Sequence, residues 1–342
     1  MNSDYIKARI DIKGIAVPVI SSGLNLADHL GAMMVRWNIN RNNYRVMPGL
    51  YAIGNPDTGS DVFVSANYKL SFDSLRSSLE GINGWILVLD TKGVNVWCAA
   101  GKGTFGTKEL VSKIRQYSLE NIVSHRRLIV PQLGATGVAA HKVREETGFN
   151  VHYGPVRACD IKKFISNGYR KDREMSLVTF GFRDRMTLVP NDFIYGKFYL
   201  LGAIAVMISL SFLGKEGFNP AFSKESYSAV LNVSLAYIGG IVITPALLPY
   251  IPARAFAVKG FYTGVFIYII SALAGFSAGS TIQLISWFLI IGAISSFMAM
   301  NFTGSSTFTS LSGVRKEMRI AVPVQIACAA SGLALNIIGK FI

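Results

Sequence analysis

The groups in this chain best able to bond a metal or attack an electrophile are three cysteines and four histidines, and their spacing sets one of them apart. Cys98, Cys159 and Cys328 form no Cys-x-x-Cys pair, and an odd count rules out a fully paired disulfide framework. They offer no iron–sulfur or zinc spacing either. His29, His125, His141 and His152 make no His-x-x-x-His pair and no Glu-flanked zinc pattern, so they read as ordinary surface or core residues. Cys328, amid Ile326, Ala327 and Ala329, reads as packing, whereas Cys159, beside Arg157 at an expected helix start, is a thiol that could help handle a metal. Cys98 stands in the stretch Asn95-Val96-Trp97-Cys98-Ala99-Ala100-Gly101-Lys102, continuing Gly103-Thr104-Phe105-Gly106-Thr107. The apolar run 85–90 and the turn Thr91-Lys92-Gly93 precede it. Cys98 is therefore expected at the end of a second short strand, just before a glycine-rich bend opens a helix.

Glycine at 101, 103 and 106 lets a backbone pass close beneath something flat or highly charged. The spacing is that of a dinucleotide fingerprint, but the acidic residue expected about twenty positions on, at the end of the next strand, is missing. That strand runs instead into Pro131-Gln132-Leu133-Gly134. A phosphate loop fails as well, because Gly106 is followed by Thr107 and then Lys108, the wrong order for Gly-Lys-Ser/Thr. Cys98 as a small core hydrophobe remains the bland alternative.

The elements that must hold this stretch form an α/β pattern from residue 61 onward. Strands are expected at 61–66, 85–90, 127–131 and 149–153, and helices at 72–80, 107–117, 138–146 and 160–166. This gives a mainly parallel, Rossmann-like sheet, in which ligands sit beyond the C-terminal strand ends. The loops placed there are Asn67-Tyr68, Cys98 through Thr107, Gly134-Ala135-Thr136-Gly137 and Tyr153-Gly154-Pro155. Thr107 is the expected N-cap of the next helix, with Glu109 in its first turn. Residues 1–60 read as an entry segment of this domain, which occupies 61–168.

Charge is unevenly placed. Of 34 Lys and Arg, 25 lie within residues 1–192 together with 17 of the 20 acids. A basic segment at 169–192 precedes a nearly charge-free half, 193–342, with five apolar runs at 193–213, 229–250, 260–278, 281–302 and 320–338. Each has about the twenty residues needed to cross a bilayer, so an all-α transmembrane domain of five helices is expected. Arg254, Lys259, Arg315, Lys316 and Arg319 flank loops on the side of the N-terminal domain. The start of the chain carries acids and no apolar core of signal-peptide length. The expectation is a multi-pass inner-membrane protein with a cytoplasmic N-terminal domain and its C-terminus outside. The net charge of +14 could suit nucleic acid, but the bases form no concentrated stripe or aromatic-interleaved patch, so no nucleic acid is expected.

The complete string from Asn95 to Lys102 resembles the signature of the HgcA family, the membrane-bound corrinoid proteins of microbial mercury methylation. The resemblance continues through Tyr44-Arg45-Val46-Met47-Pro48-Gly49-Leu50-Tyr51, Ala66-Asn67-Tyr68-Lys69-Leu70-Ser71-Phe72-Asp73 and Leu87-Val88-Leu89-Asp90-Thr91-Lys92-Gly93. With the hydrophobic C-terminal half it covers nearly the whole chain, and no signature position departs. It implies a cobalamin-type corrinoid with Cys98 as the cobalt ligand, and transfer of a methyl group from cobalt to mercury(II) to give methylmercury. The residues it would place around the cofactor are Asn95, Trp97, Cys98, Ala99, Ala100, Gly101, Lys102, Gly103, Thr104 and Gly106, with Thr136, Gly137, Tyr153 and Gly154 from neighbouring loops. Asn95, Trp97 and Lys102 would orient the ligand, and the helix opening at Thr107 would be the family's cap helix. The implied partner is HgcB, a ferredoxin-like protein with iron–sulfur clusters, and the implied methyl source is linked to folate metabolism. Asp28-His29-Leu30-Gly31 has the wrong spacing for the Asp-x-His-x-x-Gly motif of histidine-ligated carriers.

Two other classes stay open. One is a corrinoid methyl carrier of one-carbon metabolism with a different acceptor, whose own cluster cysteines would be expected. The other is a non-enzymatic membrane module that binds a nucleotide or acts as a sensor, which the missing ribose acid disfavours. The polar segment 303–310 is a candidate surface for the partner.

Overall fold

The computed structural model describes residues 4–214, 217–220, 223–277, 279–302 and 311–342. The chain divides into two compact units, one of residues 1–35 and 39–178 and the other of 36–38 and 179–342. Segment 303–310, the candidate partner surface, lies outside the described residues.

The first unit is built on a seven-stranded sheet. Its strands are β1 (Ile6–Ile12), β2 (Ile15–Ile20), β3 (Gly49–Ile53), β4 (Asp61–Ala66), β5 (Gly84–Leu89), β6 (Arg127–Val130) and β7 (Asn150–Tyr153), in spatial order β1-β2-β3-β5-β4-β6-β7. β5, β4, β6 and β7 run parallel, as do β2 and β3, while β3 is antiparallel to β5 and β1 to β2. The sheet is thus mixed but mainly parallel. Every residue of β4 and β5 is buried, as expected where helices cover both faces and a strand has no solvated side. Alternation then sorts the side chains. Val62, Val64, Trp85 and Leu87 join one core with Ala99, Phe105, Leu110 and Ile114, and Phe63, Ile86 and Val88 join another with Phe72, Leu75 and Phe164.

The helices are α1 (Leu26–Arg36), α2 (Lys69–Ser78), α3 (Val96–Lys102), α4 (Thr107–Gln116), α5 (Ala140–Thr147), α6 (Ile161–Ser166) and the short α7 (Arg173–Ser176). The first sixty residues therefore supply three of the seven strands and α1, rather than merely leading into the sheet. A buried ionic quartet fastens α1 to α2. Lys69 Nζ meets Asp28 at 2.5 Å and Asp73 at 2.7 Å, and Arg76 meets Asp28 at 2.6 Å and Asp73 at 2.8 Å. Arg76, fully buried, also donates to the carbonyls of Ser21 and Gly23.

The second unit is helical: α8 (Phe182–Ser211), α9 (Lys224–Ile238), a π-helical turn (Gly239–Ile243) leading into α10 (Thr244–Ala246), then α11 (Phe256–Leu273), α12 (Thr281–Asn301) and α13 (Leu311–Phe341). Among the described residues five stretches are long and apolar enough to cross a membrane: Phe182–Ser211, Lys224–Ala246, Phe256–Leu273, Thr281–Asn301 and Gly313–Phe341. The first begins inside the basic segment expected to precede it. It can, because Asp184 accepts from the Gly181 N–H at the helix start and Arg185 buries its guanidinium on the carbonyls of Phe180, Pro245 and Ala246. Lys259 likewise donates to the carbonyls of Leu248 and Ile251. Both cations satisfy carbonyls freed at a helix end.

Candidate functional site

Cys98 does not end a strand. It lies in the first turn of α3, whose N-cap Asn95 accepts the Cys98 N–H on its side-chain oxygen at 2.9 Å. Val94, Val96 and Trp97 favour strands by type, but this cap, followed by Ala99 and Ala100, decides for a helix. The helix ends where Gly103 turns left-handed at φ 79° and its N–H bonds back to Ala100, while Thr104 and Phe105 donate to the Ala99 carbonyl. The signature is thus a helix of its own, ahead of the one expected to be the family's cap helix.

That next helix, α4, is capped by Gly106, not by Thr107. The Thr107 hydroxyl instead accepts from the Ala139 N–H at 2.8 Å, tying α4 to the loop after β6. Glu109 is in the first turn as expected, and its carboxylate accepts the Asp90 N–H at 3.0 Å.

α3 has two distinct faces. Val96, Ala99 and Ala100 are buried, whereas Trp97, Cys98, Gly101 and Lys102 are exposed, as helical spacing requires of residues three and four apart. A Cβ built on Gly101 would meet nothing within 4 Å. The thiol therefore stands beside a bare patch of helix flanked by an exposed indole. The other glycines have internal reasons. Gly103 ends the helix, and Gly106 and Gly137 allow close approach of the chain to itself. A Cβ on Gly137 would fall 2.1 Å from the Phe105 carbonyl oxygen and 3.0 Å from Ala100 Cα. Gly101, within the helix, thus leaves open space beside Cys98.

The approach to α3 is set by Asn67, which is buried at the end of β4. Its side-chain oxygen accepts from the Thr91 N–H, the Thr91 hydroxyl and the Gly93 N–H, and its amide donates to Asp90. The Asp90 carboxyl, opposed by partial burial but held by the Lys92 side chain and backbone N–H, stays below the usual carboxylate range. Asn67 was legible only as part of a loop at the strand ends; its bracing role depends on contacts with residues more than twenty positions away.

Beside α3 a cavity of about 390 Å³ opens at the C-terminal ends of β4 and β6. Asn95 and Trp97 reach its wall, as does Gly154; Thr136 and Gly137 lie instead on the loop packed against α3, and Thr136 is exposed. Tyr153 donates its hydroxyl to the Val138 carbonyl at 2.5 Å, and burial pushes its pKa above the ordinary phenol value. Ser71 and Ser74 on α2, which the sequence reading passed over, supply hydroxyls to the cavity wall. Cys159 is exposed in a 3₁₀ turn next to Ala158, a wall residue, and its thiol faces the Asp160 carboxylate at 3.9 Å rather than a base alone. Cys328 is half-buried in α13. Among the described residues, no three of His, Cys, Asp and Glu gather as a metal-ion site. A metal at Cys98 would thus need most of its ligands from elsewhere, as a metal in a macrocycle has.

Residues 12–165 match the family model CdhD, described as the CO dehydrogenase/acetyl-CoA synthase delta subunit. The chain is similar to the acetyl-CoA decarbonylase/synthase complex subunit gamma of Archaeoglobus fulgidus, with 34% identity over 131 residues, 38% of this chain and 27% of that protein. The gamma subunit of Methanopyrus kandleri is 32% identical over 127 residues, 36% of this chain and 27% of its own length. The corrinoid/iron-sulfur protein large subunit of Moorella thermoacetica is 32% identical over 122 residues, 35% of this chain and 27% of that one. The chain spans about a quarter of the length of these relatives.

Proposed function

We propose that the α/β unit binds a corrinoid through the exposed face of α3, and that the chain is a corrinoid-dependent methyltransferase anchored by its apolar helices. The observation that carries this is the pairing of an exposed Cys98 with the unobstructed Gly101 on one helix face. A planar macrocycle needs such a bare surface, and a thiolate is a soft ligand suited to its metal. The relative from Moorella thermoacetica, named for a corrinoid, supports the same cofactor.

Bound, the corrinoid would supply a cobalt centre able to take up and release a methyl group. The chain's own residues do the rest. Cys98 would be a ligand to the metal, on a helix whose position the Asn95 cap and the Asn67 brace keep fixed. Trp97 would border the ring, and Lys102, on the same face, offers donors to the amide oxygens of its periphery. The cavity between α2 and α3 has the apolar wall and two serine hydroxyls that an aromatic appendage of the cofactor requires.

For the acceptor we infer mercury(II), on the resemblance of the Cys98 stretch to the HgcA family. A strongly donating thiolate favours release of the methyl group with its electrons toward a soft, thiophilic substrate. The matched relatives, named for acetyl-CoA synthesis and decarbonylation, favour a second reading: a methyl carrier of one-carbon metabolism with another acceptor. Renewed turnover needs an electron donor, and the three cysteines of this chain are fewer than the four that hold a cluster of four irons. A ferredoxin-like partner of the HgcB kind and a folate-linked methyl donor complete the proposal.

The test is the full chain reconstituted with methylated corrinoid and offered mercury(II). Formation of methylmercury, abolished in Cys98→Ala, supports the first reading. Corrinoid binding with no transfer to mercury(II) leaves the carrier reading, and no corrinoid binding at all removes both.

A further inference from the structure

The helical unit holds a polar cavity of about 180 Å³ lined by α8, α9, α12 and α13. Polar groups converge on it from three of those helices. Asn336 on α13 is only 7% exposed, and its amide makes no hydrogen bond among the described residues. Ser228 on α9, 9% exposed, is in the same position. The Lys340 side chain is 6% exposed, and among the described residues its ammonium meets one acceptor, the Glu225 carboxylate. An ammonium has three donors, so within the described residues two remain to be met. These polar groups line the cavity, where they are ready to bond what enters it.

We propose that this cavity is a binding site for an oxyanion carried by an amphiphile, of the phosphate-headgroup class. Among the described residues two cations, Lys224 and Lys340, line it against one carboxylate, Glu225, which favours one anionic charge there. The remaining donors, the Asn336 amide and the Ser228 hydroxyl, match the oxygens of a phosphate. Met207 and Trp287 also line the cavity and give it apolar surface, and an indole beside a polar head is the arrangement of a lipid–water boundary. The site is separate from the α/β unit and stands whatever that unit binds.

The experiment uses the full chain in detergent, with phosphatidylglycerol, phosphatidylcholine and inorganic phosphate as probes, read by native mass spectrometry and by melting temperature. Phosphatidylglycerol is expected to be retained and to raise the melting temperature, with phosphatidylcholine binding about tenfold more weakly. Asn336→Leu, which replaces the amide by an apolar group of similar reach, is expected to cut phosphatidylglycerol binding about tenfold, and the smaller change Ser228→Ala to weaken it in the same direction. Displacement of the lipid by millimolar phosphate would identify the free oxyanion as sufficient and supports the site. Equal binding of the two lipids with no phosphate effect would overturn it. So would selective binding unchanged in both variants, which would put the lipid elsewhere.

Discussion

Asn67 and Thr91 lie 24 residues apart in sequence and are joined twice, the backbone N–H and the hydroxyl of Thr91 both donating to the Asn67 side-chain oxygen at 3.1 and 2.8 Å. The Gly93 N–H completes the set at 2.9 Å, so a single buried oxygen holds the turn that leads into α3. Asn67→Ala leaves the Thr91 and Gly93 N–H groups without this acceptor, while the Thr91 hydroxyl keeps the Val94 carbonyl at 2.6 Å. Each buried unmet group costs about 1–3 kcal/mol, so the melting temperature should fall and bound corrinoid should be lost with it. Asn67→Asp keeps the acceptor but sets a carboxylate against Asp90, and should fall between the two. Wild-type stability and retention in Asn67→Ala would show that the turn is held by something else.

Cys98→Ala removes the proposed metal ligand and nothing from the core, since the side chain is exposed. The fold should persist, corrinoid should be partly retained through the surrounding surface, and methyl transfer should collapse. Cys98→His offers a donor of different strength and reach, with an altered visible spectrum and little activity. Cys159→Ala and Cys328→Ala should remain active. The oxidised protein's visible spectrum is decisive: with corrinoid bound in both, identity of wild type and Cys98→Ala would take the thiolate off the metal.

Two glycine substitutions should part company. Gly137→Ala drives a methyl group against the Phe105 carbonyl and the Ala100 backbone, so α3 must shift and the protein should melt earlier. Gly101→Ala meets open space within a helix and should stabilise the free protein by about 0.5–1 kcal/mol. It nevertheless intrudes on the bare patch beside Cys98, so corrinoid affinity should drop. Calorimetric melting and corrinoid titration of the two variants read both effects, and unaltered affinity in Gly101→Ala would mean the ring does not lie there.

The ionic quartet makes the α/β unit sensitive to acid. Burial works against the Asp28 charge, but the Lys69 and Arg76 contacts and the Asn25 backbone N–H overcome it and hold Asp28 at about 2, from 3.8. A carboxyl depressed in the folded state stabilises fully above its unfolded value. That contribution should fade as pH falls from about 4 toward 2. Asp28→Asn leaves Lys69 and Arg76 with one carboxylate between them, and breaking a buried ion pair from one side costs about 3–5 kcal/mol. Urea unfolding of the wild type and the variant at pH 7 and pH 3 should show their difference shrinking in acid.

The loop charges lead us to propose five spans with an internal N-terminal unit, which would put Lys340 on the far side of the membrane. A C-terminal reporter that works only outside the cytoplasm should be active, and activity of a cytoplasm-only reporter at the same place would refute that orientation.

Much of the sheet was legible because β4, β5 and β6 are short, mainly apolar runs bounded by turns, the mark of strands covered on both faces. β1 was harder to see. Its Ile6, Ala8, Ile10 and Ile12 do alternate, but Lys7, Arg9 and Asp11 between them hide the strand in a charged segment. α3 was misread because Val94, Val96 and Trp97 have strand preferences and the Asn95 cap bond is visible only in three dimensions. The quartet was beyond reach for a similar reason, since Asp28 lies 41 and 48 residues from its two cations. The centres of the apolar helices were plain, while their ends were set by Arg185 and Lys259, whose charges look like stop signals until they are seen resting on carbonyls.

The N-terminal hairpin bears on how this protein can be cut. Tyr5 packs its ring against Tyr51 and Phe72, and Arg76 takes the carbonyls of Ser21 and Gly23. A fragment begun at residue 61, where the repeating strand–helix pattern starts, would strand Lys69 and Arg76 in an apolar core without Asp28 and strip β5 of the neighbour it has in β3. The shortest soluble piece that can be excised for titration or crystallisation must keep the hairpin and run to about residue 178, where the first unit ends.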